Sequence, residues 1–201
     1  MRAPKTDTRI RREQILEAAL DLIGAQGVTA LNIAGIAERV GIVPSALYRH
    51  FRSKDDVLDA VLDLLGSKLL SNVARVRAES TDPLQRLQSL MMQHAGLLRE
   101  YRAIPLVVFS DVMYAGHPER KKKIAEIMTG YLSRIQEIIT DGQQQGAIRE
   151  EVDPHTASVM FLGMILPAAV LWNVLEGDFD IIDHVRKAWP GFVNSMASGP
   201  C

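Results

Sequence analysis

Apolar residues recur along this chain with the three-to-four-residue step of a helix and almost nowhere with the two-residue step of a strand. Ile15, Ala18, Ala19 and Leu22 share one helical face; Ile33, Ile36, Ala37 and Val40 share another at i, i+3, i+4, i+7. A fourth helix opens at the Ser53-x-x-Asp56 capping box and carries Val57, Val61, Leu64, Leu65 and Leu69 on to about Arg77. Asp82-Pro83 starts a fifth helix, through about Glu100. Pro105 starts a short apolar sixth, to about Tyr114, which Ala115-Gly116 ends. His117-Pro118 starts a long seventh, to about Gln145, stopped by Gly146. Asp153-Pro154 starts an eighth, to about Leu175, and a ninth spans roughly Ile181 to Met196 with a kink expected at Pro190. The pattern predicts an all-α chain of about nine helices.

The segment from Asn32 to Phe51 carries the most information. Asn32 suits an N-cap, and Gly41 stands where a helix ends in a left-handed residue. Pro44 then occupies the first position of a new helix, where its missing N–H costs nothing. Two short helices joined by a tight turn make a helix-turn-helix. At about 100° per residue, Pro44, Leu47 and Phe51 fall toward the core and Ser45, Ala46 and Arg49 away from it. Tyr48 and Arg52 lie on one flank and His50 on the other. Small side chains permit close approach to DNA, and Arg49 has the two-pronged donor geometry that fits guanine O6 and N7. Tyr48 and His50 have donors suited to phosphate, although either alone also fits the rim of a core.

Charge sharpens this reading. The net formal charge is only −1, but residues 1–54 hold nine Lys/Arg against five Asp/Glu, and residues 55–201 hold fourteen against nineteen. The basic excess therefore lies on the segment that would meet phosphate. Arg2, Lys5, Arg9, Arg11 and Arg12 crowd the N-terminus and read either as a flexible basic arm on DNA or as a solvated tail.

Leu47-Tyr48-Arg49-His50-Phe51, the following Ser53-Lys54-Asp55-Asp56, and the Ala37-x-x-x-Gly41 spacing resemble the DNA-binding domain of TetR-type transcriptional regulators. The likeness includes the Ile15–Leu22 helix and covers about the first third of the chain. It implies a three-helix DNA-binding domain over residues 8–54, with its motif at 32–51, and an effector-binding and dimerisation domain over 55–201. It also implies that the third helix enters the major groove while Tyr48, His50 and Lys54 hold phosphates. The expected DNA-binding set is Asn32, Pro44, Ser45, Ala46, Tyr48, Arg49, His50 and Lys54. This sequence departs from the family at Val43, where Ser or Thr usually caps the third helix, at Leu31, where threonine is common, and at Gly35, where an acidic residue is common.

Residues 159–172 of the eighth helix are apolar at nearly every angle, which predicts burial on all sides and hence a partner surface, or else a central core helix. The resemblance implies that the last two helices pair across a two-fold axis, and Phe161, Ile165, Val170 and Trp172 are the expected dimer contacts. Two recognition helices about 34 Å apart or somewhat more would then read a near-palindromic operator in double-stranded DNA.

Between the fifth and seventh helices, Met91, His94, Phe109, Ser110, Met113, Met128 and Tyr131 are candidates for a pocket suited to an apolar or amphipathic effector, since methionine walls adapt to varied shapes. For any one methionine ordinary core is the simpler reading, as is a satisfied core residue for His94 and a helix start for His117. His94, Asp111 and His117 lack compact metal-ligand spacing, so no metal and no cofactor is expected. Arg120-Lys121-Lys122-Lys123 reads as a solvated first turn.

No nucleophile-elbow, phosphate-loop or zinc-protease motif occurs, which argues against an enzyme. The lone Cys201 allows no internal disulfide, no signal-peptide pattern is visible, and the Val159–Val174 stretch is interrupted by Gly163, Pro167 and Asn173. A cytoplasmic, membrane-free, dimeric DNA-binding repressor released by a ligand is expected. A regulator or architectural DNA binder without a small-molecule effector is the alternative.

Overall fold

The structure is a computed structural model and describes residues 7–199; Arg2, Lys5 and Cys201 lie outside the described residues. Ten α-helices and one 3-10 turn (Val28–Ala30) make up its regular structure. They are α1 Thr8–Gln26, α2 Ile33–Val40, α3 Pro44–Leu47, α4 Lys54–Glu79, α5 Pro83–Glu100, α6 Ala103–Val108, α7 Asp111–Tyr114, α8 Pro118–Gln144, α9 Pro154–Val174 and α10 Ile181–Asn194. An isolated antiparallel bridge between Ile148 and Ala197 is the one sheet-like pairing among the described residues.

Short polar side chains set the helix starts by accepting from orphan N–H groups. Asp7 accepts from Arg9, Asp82 from Leu84 and Gln85, Asp153 from Thr156, and Asp180 from Ile182 and Asp183. At α4 one half of the predicted capping box forms, Asp56 N donating to Ser53 Oγ, while the Asp56 carboxylate accepts from Arg52 N, one residue before the cap.

The expected sixth helix is two helices, which raises the count from nine to ten. It begins at Ala103, so that Pro105 is its third residue and still falls among the N–H groups that have no helical partner. It breaks after Val108 because Phe109 and Ser110 leave helical angles, Ser110 with ψ 118°. Within the break, the Tyr114 hydroxyl donates to the Val108 carbonyl. At the other end of the chain, α10 is assigned as one continuous helix through Pro190.

The chain forms two compact units, and they do not divide it at residue 54. Among the described residues, one comprises 7–66 together with 101–124, and the other comprises 67–100 and 125–199. Residues 101–124 join the first unit because α6 packs on α1, Tyr101 donates to Glu17 at 2.9 Å, and Arg120 is paired with the start of α4. Gly24 of α1 gives the close approach, since a Cβ there would lie 3.3 Å from the Arg102 side chain and 3.4 Å from Ala103 N.

In the second unit α5 packs on α9 and α10, and α9 on α10. Phe161 and Phe192 meet edge to face at 6.1 Å. Arg77 reaches Glu137 at 3.0 Å and Arg86 reaches Asp141 at 3.4 Å, tying α4 and α5 to α8.

Helix α9 is apolar on two opposite faces. One face, with Ala157, Ser158, Phe161, Leu162, Ile165, Ala168 and Ala169, is buried within this unit. Phe161 and Ile165 are fully buried there, so they are core residues and not the dimer contacts expected from the sequence. The opposite face exposes Val159, Met160, Val170, Leu171 and Val174. Trp172 is half-buried between the two. With 21 residues α9 is also long and apolar enough by composition to cross a membrane, which the interrupted sequence stretch did not suggest.

Candidate nucleic-acid interface

Helices α2 and α3 form a helix-turn-helix on the face of α1. Ile36 and Ala37 bury one side of α2, and Leu47 and Phe51 anchor α3 and the turn after it. Gly41 makes the turn in the left-handed region (φ 71°, ψ 36°), where a side chain would be strained. Val43 gives α3 no side-chain cap, and Pro44 supplies its first position.

Asn32 is committed to the motif itself. Its Oδ1 accepts from Gly35 N at 2.8 Å and its Nδ2 donates to Ala30 O at 2.9 Å. A side chain at Gly35 would be tight, because a Cβ there would come within 3.2 Å of Leu22 and 3.4 Å of Asn32 Oδ1.

The regular helix of α3 is one turn long. Beyond Leu47 the chain tightens: Arg49 N bonds Ala46 O at 3.3 Å and His50 N bonds Leu47 O at 2.8 Å, both three-residue steps. The even 100° layout therefore fails past Tyr48. It also misplaces Pro44, which is exposed and not in the core. Ser45 and Arg49 are exposed, Ala46 is half-buried, and Tyr48 is 54% exposed beside them. The result is a small-residue surface with one guanidinium and one phenol projecting from a buried base. Lys54 is exposed at the first position of α4.

Arg12 belongs to this site in a way the sequence reading missed. Arg9, Arg11 and Arg12 are part of α1, not of a flexible arm. The Arg12 guanidinium donates to His50 O at 2.5 Å and stands 4.2 Å from the centroid of the Phe51 ring. It thus closes the end of the recognition segment with a charge-assisted hydrogen bond and a cation–π contact. The Asp7 cap, which places the start of α1 at Thr8, was the available sequence signal. Burial, followed by the charges of Arg12, Arg11 and Arg49, lowers the His50 pKa. Its buried Nδ1 has no hydrogen-bond partner among the described residues.

Arg120 corrects the reading of the basic run as a solvated turn. Its side chain is 2% exposed, with Nε donating to Asp59 Oδ1 at 2.7 Å and Nη2 to Asp55 Oδ1 at 2.8 Å. Lys123 continues the series by reaching Asp63 at 2.5 Å, and His117 Nε2 lies 3.5 Å from Asp55. Asp55, Asp59 and Asp63 are spaced i, i+4, i+8 on α4, so α8 grips the first turns of the helix that begins with Lys54. The hydrogen bond and charge of Arg120, with His117 and Lys54, hold the Asp55 carboxyl below its ordinary pKa against some desolvation.

The expected effector residues separate between the two units. Met91, His94, Met128 and Tyr131 belong to the second; Phe109, Ser110 and Met113 belong to the first. Tyr131 and His94 are buried together, hydroxyl to Nδ1 at 3.2 Å with the rings nearly perpendicular. Burial lowers the His94 pKa to about 4 and raises that of Tyr131. Met91 and Met113 are buried and Met128 is half-buried. Phe109 is 60% exposed and, with Ser110, edges a shallow surface groove with Val28, Pro105 and Leu106.

Comparison with known proteins agrees with this layout. A family model described as "Bacterial regulatory proteins, tetR family" matches residues 15–61, and one described as "YsiA-like protein, C-terminal region" matches residues 65–194. The fatty acid metabolism regulator protein of Bacillus subtilis is 25% identical over 84% of this chain and 87% of its own length. The nucleoid occlusion factor SlmA of Marinobacter nauticus is 26% identical over 74% of each chain. Among solved structures, the fatty acid degradation regulator FadR of Bacillus halodurans superposes with a TM-score of 0.77 at 23% identity, covering 96% of both chains. FadR of Bacillus subtilis in complex with stearoyl-CoA superposes with a TM-score of 0.72 at 23% identity, covering 94% of this chain and 99% of that chain.

Proposed function

This chain belongs to the TetR family of bacterial regulatory proteins, and from that membership we propose how its parts act. It is a DNA-binding transcriptional regulator. We read Ser45, Ala46 and Arg49 as the base-reading surface, and Tyr48, His50 and Lys54 as phosphate contacts that fix its register. Exposed Pro44 flanks that surface, and Asn32 serves as the cap that shapes it. The observation that carries this reading is the division of one short segment: Leu47 and Phe51 are buried while Ser45, Tyr48 and Arg49 are exposed.

The protein acts as a dimer through the exposed apolar face of α9, with Met160, Val170, Leu171 and Val174 in contact and Gly163 and Pro167 letting the helices approach. A two-fold dimer reads a near-palindrome. Selection of DNA from a random pool by the purified protein tests this. Enriched inverted half-sites are expected, and enrichment without inverted symmetry contradicts the dimeric reading.

Bound to its operator in the cytoplasm, the dimer represses, and a small amphipathic effector releases it. A relative named for fatty acid metabolism and a structural neighbour holding stearoyl-CoA support an acyl-type ligand. Met91, Met128 and Tyr131 are the walls we assign to its apolar part within the second unit. Helix α4 starts at Lys54 in the first unit and ends at Glu79 in the second, so it is the element through which a change in effector state reaches the DNA contacts. The ligand's differential affinity for the two states sets how far operator occupancy shifts. The relatives named as nucleoid occlusion factors favour a second reading, a DNA-bound regulator that acts without a small-molecule effector.

A further inference from the structure

The second unit has a polar groove between α4 and α5 that no role described so far requires. Its volume is about 660 Å³, and it is lined by Lys68, Ser71, Asn72 and Arg75 of α4 and by Gln93, Gly96, Leu97, Arg99 and Glu100 of α5. The α4 residues stand at i, i+3, i+4, i+7, a spacing that otherwise carries core side chains on this helix. Lys68, Arg75 and Arg99 border it together with the carboxylate of Glu100.

Two amides there are unusual. Asn72 is 7% exposed, flanked by buried Val73 and Leu69, and its side chain has no hydrogen bond among the described residues. The Oε1 atom of Gln93 is buried and also has no partner. The buried Gln93 oxygen costs free energy unless a donor completes it, whereas the Asn72 amide atoms are not fully buried and stay open to the groove. Arg75 and Arg99 are exposed and make no ion pair among the described residues. Gly96 leaves the groove open, since a Cβ there would meet nothing within 4 Å.

We propose that this groove binds a small phosphate-bearing anion. Arg75 and Arg99 hold the phosphate oxygens with charge-assisted hydrogen bonds, Lys68 adds a point charge, and Asn72 donates from the floor. Leu97 gives the ligand's carbon skeleton an apolar edge. A phosphate ester suits the site better than a fatty carboxylate, because two guanidinium groups on facing helices offer more N–H donors than the two oxygens of one carboxylate can accept. The site deepens the ligand-responsive reading above, and its regulatory meaning rests on that reading: an anion that bridges α4 and α5 fixes the latter part of the helix that begins at Lys54. Binding itself can be measured without DNA.

Isothermal titration calorimetry on the full chain, with coenzyme A, inorganic phosphate and oleate as probes, tests the site. Coenzyme A is expected to bind, and Arg75→Ala combined with Arg99→Ala is expected to weaken it at least tenfold. Gly96→Leu, which fills the groove without meeting a neighbour, should do the same while the far-ultraviolet spectrum and melting point stay near those of the wild type. Inorganic phosphate binding as tightly as coenzyme A, and lost in the same variants, would identify a free phosphate as the ligand and also supports the site. Failure of both phosphate compounds to bind overturns it, as does equal affinity in wild type and variants or binding by oleate alone at these residues. Anisotropy with operator DNA and no added anion separates the two levels. The double variant should keep operator affinity, and loss of DNA binding in step with anion binding would make the groove a DNA surface instead.

Discussion

Arg12 stands over the ring of Phe51, 4.2 Å from its centroid, and donates to the carbonyl of His50 next to it. A residue of α1 thereby holds the end of the recognition segment, where regular α-helix has already given way to tighter turns. Arg12→Ala should lower stability by about 1 kcal/mol, the combined scale of an exposed cation–π contact and one hydrogen bond. It should also weaken operator binding several-fold. The charge of Arg12 helps lower the His50 pKa, so that pKa should rise in the variant. Proton NMR of the His50 ring across pH 4–8 checks this, and an unchanged His50 titration would contradict the placement.

Arg120 and the carboxylates of Asp55 and Asp59 fasten α8 to the first turns of α4. Arg120→Met keeps most of the volume but leaves two aspartates one helical turn apart without their cation. Both are nearly half exposed, so they regain water, and the expected cost is about 2 kcal/mol, below the usual loss for breaking a fully buried pair. Because the folded state holds the Asp55 carboxyl below its ordinary pKa, its stabilisation is present above the ordinary carboxylate range and is lost as pH falls through the lowered value. Denaturant melts at pH 7 and pH 3 should show the variant losing less stability on acidification than the wild type does.

Neutral His94 makes a second pH dependence, with the opposite group type. Its pKa is about 4 when folded, against an ordinary value of 6.5. Between those values the unfolded chain binds more protons, so stability is complete above pH 6.5 and falls as the pH drops toward 4. The full span is worth about 3 kcal/mol. His94→Gln can still bond the Tyr131 hydroxyl but cannot titrate. Urea melts at pH 7.5, 5.5 and 4.5 should show a shallower decline in the variant, and parallel curves would contradict the burial of a neutral imidazole.

The two faces of α9 predict two different failures. Leu171 is 44% exposed, and Leu171→Lys should leave the fold intact while shifting the sedimentation equilibrium toward monomer. Phe161 is fully buried, and Phe161→Ala should cost about 3–5 kcal/mol of stability through the cavity it leaves. A dimer that survives Leu171→Lys unchanged would place the interface elsewhere.

The contrast between those residues shows where sequence reading stops. Helix positions in the motif were legible because caps and breakers surround each short element: Asn32, Gly41, Pro44 and the Ser53–Asp56 box all act as their residue types require. The exposure of Pro44 was not legible, because the angular layout gives a side of the helix but not its depth, and Pro44 opens α3 between exposed Val43 and Ser45. In α9 every angle is apolar, so periodicity could not distinguish Phe161, which faces the chain's own core, from Leu171 on the far side. Arg120 was hidden in a run of four cations, and only the Asp55, Asp59 and Asp63 ladder distinguishes it. The break at Phe109 and Ser110 has no glycine or proline to announce it. The groove at Asn72 shows itself only when α4 and α5 are placed side by side.

The reading of DNA by α3 is tested most directly by fluorescence anisotropy with the selected duplex and with a copy in which each half-site carries base changes, at several salt concentrations. Arg49→Ala should lose affinity for the selected duplex by about 1–3 kcal/mol per half-site while binding the altered copy nearly as well as the wild type does. Lys54→Ala should instead weaken both duplexes alike and reduce the salt slope. An Arg49→Ala protein that still prefers the selected duplex by the wild-type margin would contradict the assignment of base reading to this surface.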